Sequence, residues 1–155
     1  MLDLLEEFRS VVGALGEAGV EYAVCGGLAV AIHVRPRATI DVDLLVPRTA
    51  LEPAKQIVRG LGYRIEADPM HLRDGTVEVH RLSKPDPDTG DLLSVDFLLV
   101  TPALEPAWES RERVGWEHGE VTVVSRSGLV LMKRLRGSGQ DQDDIRDLEA
   151  GNGEG

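Results

Sequence analysis

Two acidic residues separated by a single position, Asp41 and Asp43, are the strongest candidates for chemistry in this sequence. They lie in the segment TIDVDLLV, in which apolar residues alternate with the acids. Because side chains alternate between the two faces of a β-strand, the segment predicts a strand that carries both carboxylates on one face. Carboxylates about 6–7 Å apart along a strand repel each other unless a cation lies between them, and Mg²⁺ prefers such oxygen ligands. The pattern therefore predicts a metal site, with a solvated edge strand as the alternative.

A Gly-Gly pair just before these acids predicts a phosphate-binding turn. Gly26 and Gly27 follow the short apolar segment YAVC and precede the helix-like segment LAVAIHV. Glycine lets a phosphate approach the backbone without interference from a Cβ atom, and the free N–H groups at the start of a helix attract an anion. A triphosphate and a metal ion would then share one pocket. An ordinary tight turn is the alternative, and the P-loop pattern G-x-x-x-x-G-K-[ST] is absent.

The full segment GGLAVAIHVRPRATIDVDLLV resembles the signature of the nucleotidyltransferase superfamily, in which a hydrophobic residue and Gly-Gly or Gly-Ser precede Asp-x-Asp/Glu and a further hydrophobic residue. The longer spacing, with His33, Arg37 and Thr39, is similar to that of a small bacterial branch related to AbiEii-like toxin nucleotidyltransferases. The resemblance covers most of the chain. It implies a polymerase-beta-like fold and the transfer of a nucleoside monophosphate from a nucleoside triphosphate to an acceptor hydroxyl, with release of pyrophosphate.

The resemblance also implies a third carboxylate on a later strand, and Asp96 in DLLSVDFLLV fits this position. A carboxylate inside an apolar strand must be neutralised, paired with a base or directed at a metal, because its desolvation is costly. Asp96 would ligate a second metal and act as the general base for the acceptor hydroxyl. The implied catalytic and metal-binding residues are Asp41, Asp43 and Asp96, with Mg²⁺ as the metal and Mn²⁺ as its substitute.

Two alternatives to this role of Asp96 stay open. One is an ion pair between Asp96 and Arg81 or Arg73 on a neighbouring strand. The other is Glu78 as the third acid, since the segment TVEVH around it also alternates. The resemblance places the third carboxylate in the more apolar strand and therefore favours Asp96.

Basic residues near the motif are candidates for contact with a triphosphate. Arg37 lies between the glycines and the acids and could clamp a phosphate. Lys133 lies on a helix that is predicted to begin after Ser125 or Ser127, and it either leans toward the phosphates or extends along the surface. His33 either caps the end of its helix or contacts the substrate. The predicted nucleotide-binding residues are Gly26, Gly27, Arg37 and Lys133.

The composition predicts one globular domain over residues 1–150 and a short flexible tail at 151–155, since 42% of the 155 residues are hydrophobic. No segment approaches the roughly 20 apolar residues of a membrane span, and the chain starts with an acidic amphipathic segment, so we expect a cytoplasmic protein. Cys25 is the only cysteine, which excludes an internal disulfide framework and a cysteine-rich zinc site. The formal net charge of -10 opposes broad binding to nucleic acid.

The periodicity of the sequence predicts an α+β fold, a mixed sheet flanked by helices with short helices at the C-terminus. In the first helix, Leu5, Phe8, Val12 and Leu15 form the predicted apolar stripe, and Gly19 ends the helix. The predicted order is helix 3–17, strand 21–25, helix 27–34, strand 41–46, helix 50–60, strands 62–67, 76–82 and 92–100, helix 103–110, a hairpin near 113–125 and two terminal helices.

The leading hypothesis is a metal-dependent nucleotidyltransferase whose partners are a nucleoside triphosphate and an acceptor, with RNA such as tRNA, a protein or a small molecule left open. The resemblance suggests the toxin of a toxin–antitoxin pair. Only about thirty residues follow the last predicted strand, whereas larger relatives carry a substantial helical domain. We therefore expect acceptor choice to depend on an antitoxin partner or a homodimer. The alternative is a non-catalytic nucleotide-binding or protein-interaction module that retains the fold.

Overall fold

The computed structural model contains both helices and strands and describes residues 2–33, 41–116, 119–136, 145–146 and 148–150. The helices are α1 (Leu4–Glu17), α2 (Gly26–His33), α3 (Arg48–Gly60), α4 (Glu105–Glu109) and α5 (Arg126–Arg136), with a 3-10 turn at Pro102–Leu104. The strands are β1 (Ala23–Cys25), β2 (Asp41–Val46), β3 (Ile65–Glu66), β4 (Met70–Leu72), β5 (Val77–Pro85), β6 (Leu92–Leu99), β7 (Glu112–Trp116) and β8 (Gly119–Val123). These elements confirm the predicted α+β class.

Within the described residues, the strands form one mixed eight-stranded sheet. The order across the sheet is β3-β5-β6-β2-β1-β8-β7, and β4 pairs with β5. The pairs β2–β6 and β1–β8 are parallel, and the other pairs are antiparallel. The strand of the two acids, β2, therefore lies between β1, which leads into the Gly-Gly turn, and β6, which carries Asp96.

Helix α1 is defined by a cap, an apolar stripe and a glycine at its end. The Asp3 carboxylate accepts a hydrogen bond from the Leu5 backbone N–H at 2.9 Å. Gly19, with a φ of 71°, follows the helix. The prediction that Leu5 is buried is wrong: Leu5 is 56% exposed, because Val11 shifts the centre of the stripe toward Leu4. The buried residues of α1 are Phe8, Val11, Val12 and Leu15.

The apolar core joins distant parts of the chain. Leu148, near the end of the described residues, is fully buried in the same cluster as the stripe of α1. Tyr63 is also fully buried, and its hydroxyl donates to the Glu7 carboxylate at 2.9 Å. This bond fixes α1 to the segment that follows α3. The buried Trp108 ring packs under the guanidinium of Arg111, 3.9 Å from the ring centre, so this tryptophan belongs to the core.

Most predicted elements are confirmed to within a few residues, but the region between α3 and β5 differs. The strand predicted over 62–67 is reduced to the two residues of β3, and β4 was not predicted. A three-residue strand is too short for a clear alternation, and its strand state depends on pairing with β5. Most of the second terminal helix and the tail at 151–155 lie outside the described residues. None of the helices in the described part of the chain is long and apolar enough to cross a membrane.

Candidate active site

Three neighbouring strands bring the predicted acids to one face of the sheet. On the parallel strands β2 and β6, Asp43 lies directly opposite Asp96. Asp41, two positions earlier on β2, shares the face of Asp43 and lies opposite Ser94. On the other side of β6, antiparallel β5 places Arg81 opposite Asp96. The register of the sheet thus aligns charged groups that are far apart in the sequence.

These side chains line a cavity of about 380 Å³ between the sheet and α5. Its size lies within the range of small-molecule sites, about 300–1,000 Å³. The charged lining residues are Asp41, Asp43, Arg81, Asp96 and Lys133. The other lining residues are mostly apolar: Cys25, Gly26, Met70, Leu72, Val77, Val79, Leu98, Leu104, Leu129 and Met132.

Gly26 is required at its position because Asp43 occupies the space of a side chain there. Gly26 has a φ of 66°, and an added Cβ atom would lie 2.1 Å from Asp43 Oδ2 and 2.8 Å from Asp43 Cγ. The neighbouring Cys25 pairs with Asp43 in the β1–β2 register. The turn and the acid therefore lie in the same cavity, in the arrangement that the sequence predicts.

A bidentate ion pair joins Asp96 to Arg81. Arg81 Nε donates to Asp96 Oδ1 at 2.7 Å, and Nη2 donates to Oδ2 at 2.8 Å. The same Nη2 lies 3.8 Å from Asp41 Oδ2. The Asp96 side chain is 8% exposed and the Arg81 side chain 39%. Asp96 therefore lines the predicted cavity and also forms the ion pair with Arg81 that the sequence left open.

Burial and neighbouring charges shift the pKa values of Asp41 and Arg81. Burial raises the pKa of the Asp41 carboxyl, the negative charge of Asp96 raises it further, and the Arg81 guanidinium opposes the shift. The hydrogen bonds to Asp96 raise the pKa of Arg81, so the guanidinium stays charged. Asp41 is thus a carboxylate whose ionised form depends on a nearby cation.

The donor chemistry of Asp41 and Asp43 fits a hard divalent cation such as Mg²⁺, since both carboxylates line the same cavity. Asp96 fits less well as a further ligand, because both of its oxygens accept hydrogen bonds from Arg81. Among the described residues, no group of three or more His, Cys, Asp or Glu side chains is arranged to hold a metal ion. Asp41 and Asp43 are therefore the stronger candidates for metal ligands, and Asp96 is the weaker one.

Lys133 lies in the wall of the cavity and is 5% exposed. This burial does not agree with a lysine that extends along the outer surface, whereas the predicted contact of Lys133 with phosphates stays a prediction. Leu129, one turn earlier on α5, lines the same wall. The helix begins after Ser125, whose hydroxyl accepts a hydrogen bond from the Gly128 N–H at 3.1 Å, as a predicted N-cap should.

The other predicted residues lie outside the cavity lining or outside the described residues. Gly27 is the second residue of α2. Arg37 and Thr39 fall in the range 34–40, outside the described residues. His33 Nε2 lies 2.8 Å from the Val124 carbonyl oxygen. In the described structure His33 therefore connects the end of α2 to the residue after β8. This contact is with a carbonyl outside α2, so the capping alternative and the substrate alternative both stay predictions.

Glu78, the rival third acid, lies on the face of the sheet opposite the cavity. Alternate residues of β5 from Val77 to Arg81 line the cavity, so Glu78 points the other way, toward α3. Its carboxylate accepts a hydrogen bond from Arg48 at 3.3 Å and lies 2.7 Å from His80 Nε2. The geometry therefore places Asp96, and not Glu78, beside the two acids of β2.

Part of the cavity wall was missed by sequence reasoning. Met70 and Leu72 line the cavity from β4 and are 37% and 46% exposed. The short alternation in Met-His-Leu is the available sequence signal, and it is too brief to stand alone. A larger cavity, about 790 Å³, lies between the end of α1 and the β7–β8 hairpin, but its lining contains none of the predicted site residues.

Neither the protein-family models nor the curated proteins match the sequence. Solved structures match it over nearly the whole chain. A putative nucleotidyltransferase from Thermotoga maritima is 13% identical with a TM-score of 0.62, and the match covers 92% of this chain and 89% of that one. ANT(2")-Ia, in complex with adenylyl-2"-tobramycin, is 15% identical with a TM-score of 0.62, and the match covers 93% and 86%. An antigenic nucleotidyltransferase-like protein from Paracoccidioides brasiliensis is 20% identical with a TM-score of 0.53, covering 94% and 75%.

At these identities the similarity lies in the backbone arrangement. The resemblance to the AbiEii-like branch stays a prediction, because no AbiEii-like protein is among these three structures. The order of helices and strands and the central position of β2 agree with the fold that the sequence resemblance implies. The chain therefore has the mixed α+β fold of nucleotidyltransferases.

Proposed function

We propose that this protein is a metal-dependent nucleotidyltransferase that moves a nucleoside monophosphate from a nucleoside triphosphate to an acceptor hydroxyl and releases pyrophosphate. The main observation in support is the alignment of Asp43 with Asp96, with Asp41 beside them, in a cavity that Lys133 also lines. The fold that the chain shares with solved nucleotidyltransferases supports the same class of reaction.

Two sides of the cavity suit a triphosphate. The Lys133 ammonium group supplies a compact positive charge in the wall formed by α5. Gly26 and Gly27 open α2, where backbone N–H groups attract anions. The space that a side chain would take at Gly26 is occupied by the carboxylate of Asp43, so a phosphate at this turn would lie beside that carboxylate. Arg37 is proposed as a further phosphate contact on the basis of its position in the sequence.

Asp41 and Asp43 are the proposed ligands of Mg²⁺, with Mn²⁺ as a substitute. When bound, the metal would neutralise charge on the triphosphate. The acceptor oxygen attacks the α-phosphorus, the bond between that phosphorus and the oxygen bridging to the β-phosphate breaks, and pyrophosphate leaves with the electron pair. Asp96 is proposed to orient the acceptor hydroxyl and take its proton, since each of its oxygens keeps a lone pair beyond the bond to Arg81.

The acceptor is proposed by class: an RNA such as tRNA, a protein, or a small molecule with a hydroxyl group. Because the ANT(2")-Ia structure contains adenylyl-2"-tobramycin, tobramycin represents the small-molecule class in a test. If the acceptor is an RNA or a protein that growth requires, its modification would make the enzyme a toxin. The proposed partner is then an antitoxin or a second copy of the chain.

Transfer of label from each nucleoside triphosphate labelled at the α-phosphate tests the proposal. Total RNA, cell protein and tobramycin serve as acceptors, with Mg²⁺ or Mn²⁺ present. We expect label in one pool and a loss of about 100-fold or more in Asp43→Asn, because disturbing even the partners of metal ligands costs about 10–100-fold. The matched control is Asp91→Asn, at an exposed position outside the cavity lining, which should keep full activity.

A failure to transfer label, with triphosphate binding intact, is the result that would contradict the proposed activity. Label in none of the pools, together with triphosphate binding that Asp43→Asn leaves unchanged, would contradict the proposal. That result would favour a non-catalytic nucleotide-binding or protein-interaction module with the same fold.

A further inference from the structure

The guanidinium of Arg81 is held among the carboxylates of the cavity by the sheet itself. Arg81 and Asp96 lie directly opposite each other on antiparallel β5 and β6. Two parallel N–H···O bonds of 2.7 and 2.8 Å join them, which is the geometry in which a guanidinium matches a carboxylate best. The pair is therefore fixed by backbone register and not by a chance contact of mobile side chains.

The same guanidinium also faces the acids of β2. Arg81 Nη2 lies 3.8 Å from Asp41 Oδ2, so one positive group spans a carboxylate of β6 and a carboxylate of β2. That is the place in which a cation shared by the two strands would lie. Arginine remains charged at any pH at which the protein would work, so this positive charge is permanent.

Burial makes the Asp96–Arg81 pair difficult to separate. Asp96 is 6% exposed as a residue, so its carboxylate has lost most of its contact with water. Removing the partner of a buried charge is strongly unfavourable, because the remaining charge is left uncompensated. The remaining lone pairs of Asp96 could reach a metal ion only beside the Arg81 guanidinium, whose positive charge repels a second cation.

We infer that Arg81 takes the place of a second metal ion, so that the site loads one divalent cation on Asp41 and Asp43 while Asp96 stays bonded to the guanidinium. This inference rests on the proposed function and replaces the expectation that Asp96 ligates a second metal. Arg81 is then a positioning residue: it holds Asp96 opposite Asp43 and supplies the charge that a second ion would bring.

The number of bound Mn²⁺ ions tests the inference. The protein is dialysed against Mn²⁺ with inorganic triphosphate, which avoids the unidentified base, and bound Mn²⁺ is counted and examined by electron paramagnetic resonance. Two Mn²⁺ ions about 3.5–4 Å apart, the usual spacing of two-metal sites, give a spin-coupled spectrum. For the natural protein we expect one ion and no coupling.

Three variants identify the group that excludes the second ion. Arg81→Gln removes the guanidinium, and we expect it to bind a second Mn²⁺ and to show coupling. Adding Asp96→Asn to Arg81→Gln removes the freed ligand, and the count should return to one. The matched control is Arg59→Gln, whose partner Glu66 lies 2.8 Å away and outside the cavity lining, and which should bind one ion.

Three results would overturn the inference. A coupled pair of ions in the natural protein would overturn the inference and leave the proposed function standing, and this count decides even if Arg81→Gln does not fold. A count of one in a folded Arg81→Gln variant would overturn it as well, because Arg81 would then not be the excluding group. No bound Mn²⁺ in the natural protein would overturn the metal dependence of the proposed function, and the inference with it.

Discussion

At the residue scale, the site requires a glycine at position 26, because there is no room for a Cβ atom beside Asp43. The start of α2 lies so close to β2 that a Cβ atom on Gly26 would be 2.1 Å from Asp43 Oδ2. The backbone there also has a φ of 66°, which residues with a side chain rarely adopt. Any larger residue would therefore strain the turn and displace the carboxylate that faces Asp96 across the β2–β6 pair.

We expect Gly26→Ala to lower the rate of nucleotidyl transfer by about 100-fold, because a displacement of about 1 Å in a reacting group has a cost of that order. Initial rates with an α-labelled triphosphate measure the effect. The matched control is Gly13→Ala, at an exposed position of α1 with nothing within 4 Å of the added atom. It should keep full activity and raise the free energy of unfolding by about 0.5–1 kcal/mol. Equal rates in the two variants would contradict the role assigned to Gly26.

The acids of the site could be predicted from the sequence, and the role of Arg81 could not. The alternation around Asp41 and Asp43 predicts that the two side chains share a face of the strand. The apolar residues around Asp96 indicate a carboxylate that needs a cation or a basic partner. An ion pair across strands depends instead on register, which the local sequence leaves open. Arg81 was therefore one of two basic candidates until the β5–β6 pairing placed it opposite Asp96.

At the element scale, β5 separates two different environments. One face of the strand lines the cavity through Val77, Val79 and Arg81, and the other face packs toward α3. Glu78 lies on the second face, where the hydrogen bond with His80 and the contact with Arg48 lower the pKa of its carboxyl in spite of burial. The charged form of Glu78 therefore stabilises the contact between β5 and α3.

We expect the stability difference between the natural protein and Glu78→Gln to depend on pH. Because the pKa of Glu78 is lowered by folding, its contribution is complete above the unfolded pKa of about 4.3 and is lost as the pH falls through the lower folded pKa. At neutral pH the variant should be less stable by about 1 kcal/mol. Urea midpoints measured from pH 7 downward should converge in acid, whereas an exposed control, Glu109→Gln, should show no such convergence. A difference that persists unchanged in acid would contradict this role of Glu78.

The elements that could be predicted are those whose pattern is local. Helix α1 and strands β2 and β6 carry their periodicity over enough residues to be recognised. β3 and β4 have two and three residues, and their state depends on pairing with β5. The apolar wall that β4 adds to the cavity could not be predicted for the same reason.

At the scale of the whole molecule, most of the elements that line the cavity also contribute residues to the apolar core. The apolar cluster includes Phe8 of α1, Phe97 of β6 and Leu148 near the end of the described chain. The cavity walls come from β1, β2, β4, β5, β6 and α5, with the turn at Gly26 and Leu104 before α4. Because most of these walls also belong to the core, ligand binding should stabilise the fold as a whole.

We expect the protein to unfold in one cooperative step, with coincident midpoints by far-ultraviolet circular dichroism and tryptophan fluorescence. Mn²⁺ with inorganic triphosphate, at about 100 times the dissociation constant, should add about 2.7 kcal/mol and raise the melting temperature by about 5–10 °C. In Asp43→Asn the two signals should still coincide, but the ligands should cause little shift. Separate midpoints would contradict a single cooperative domain, and an equal shift in Asp43→Asn would show that the ligands bind elsewhere.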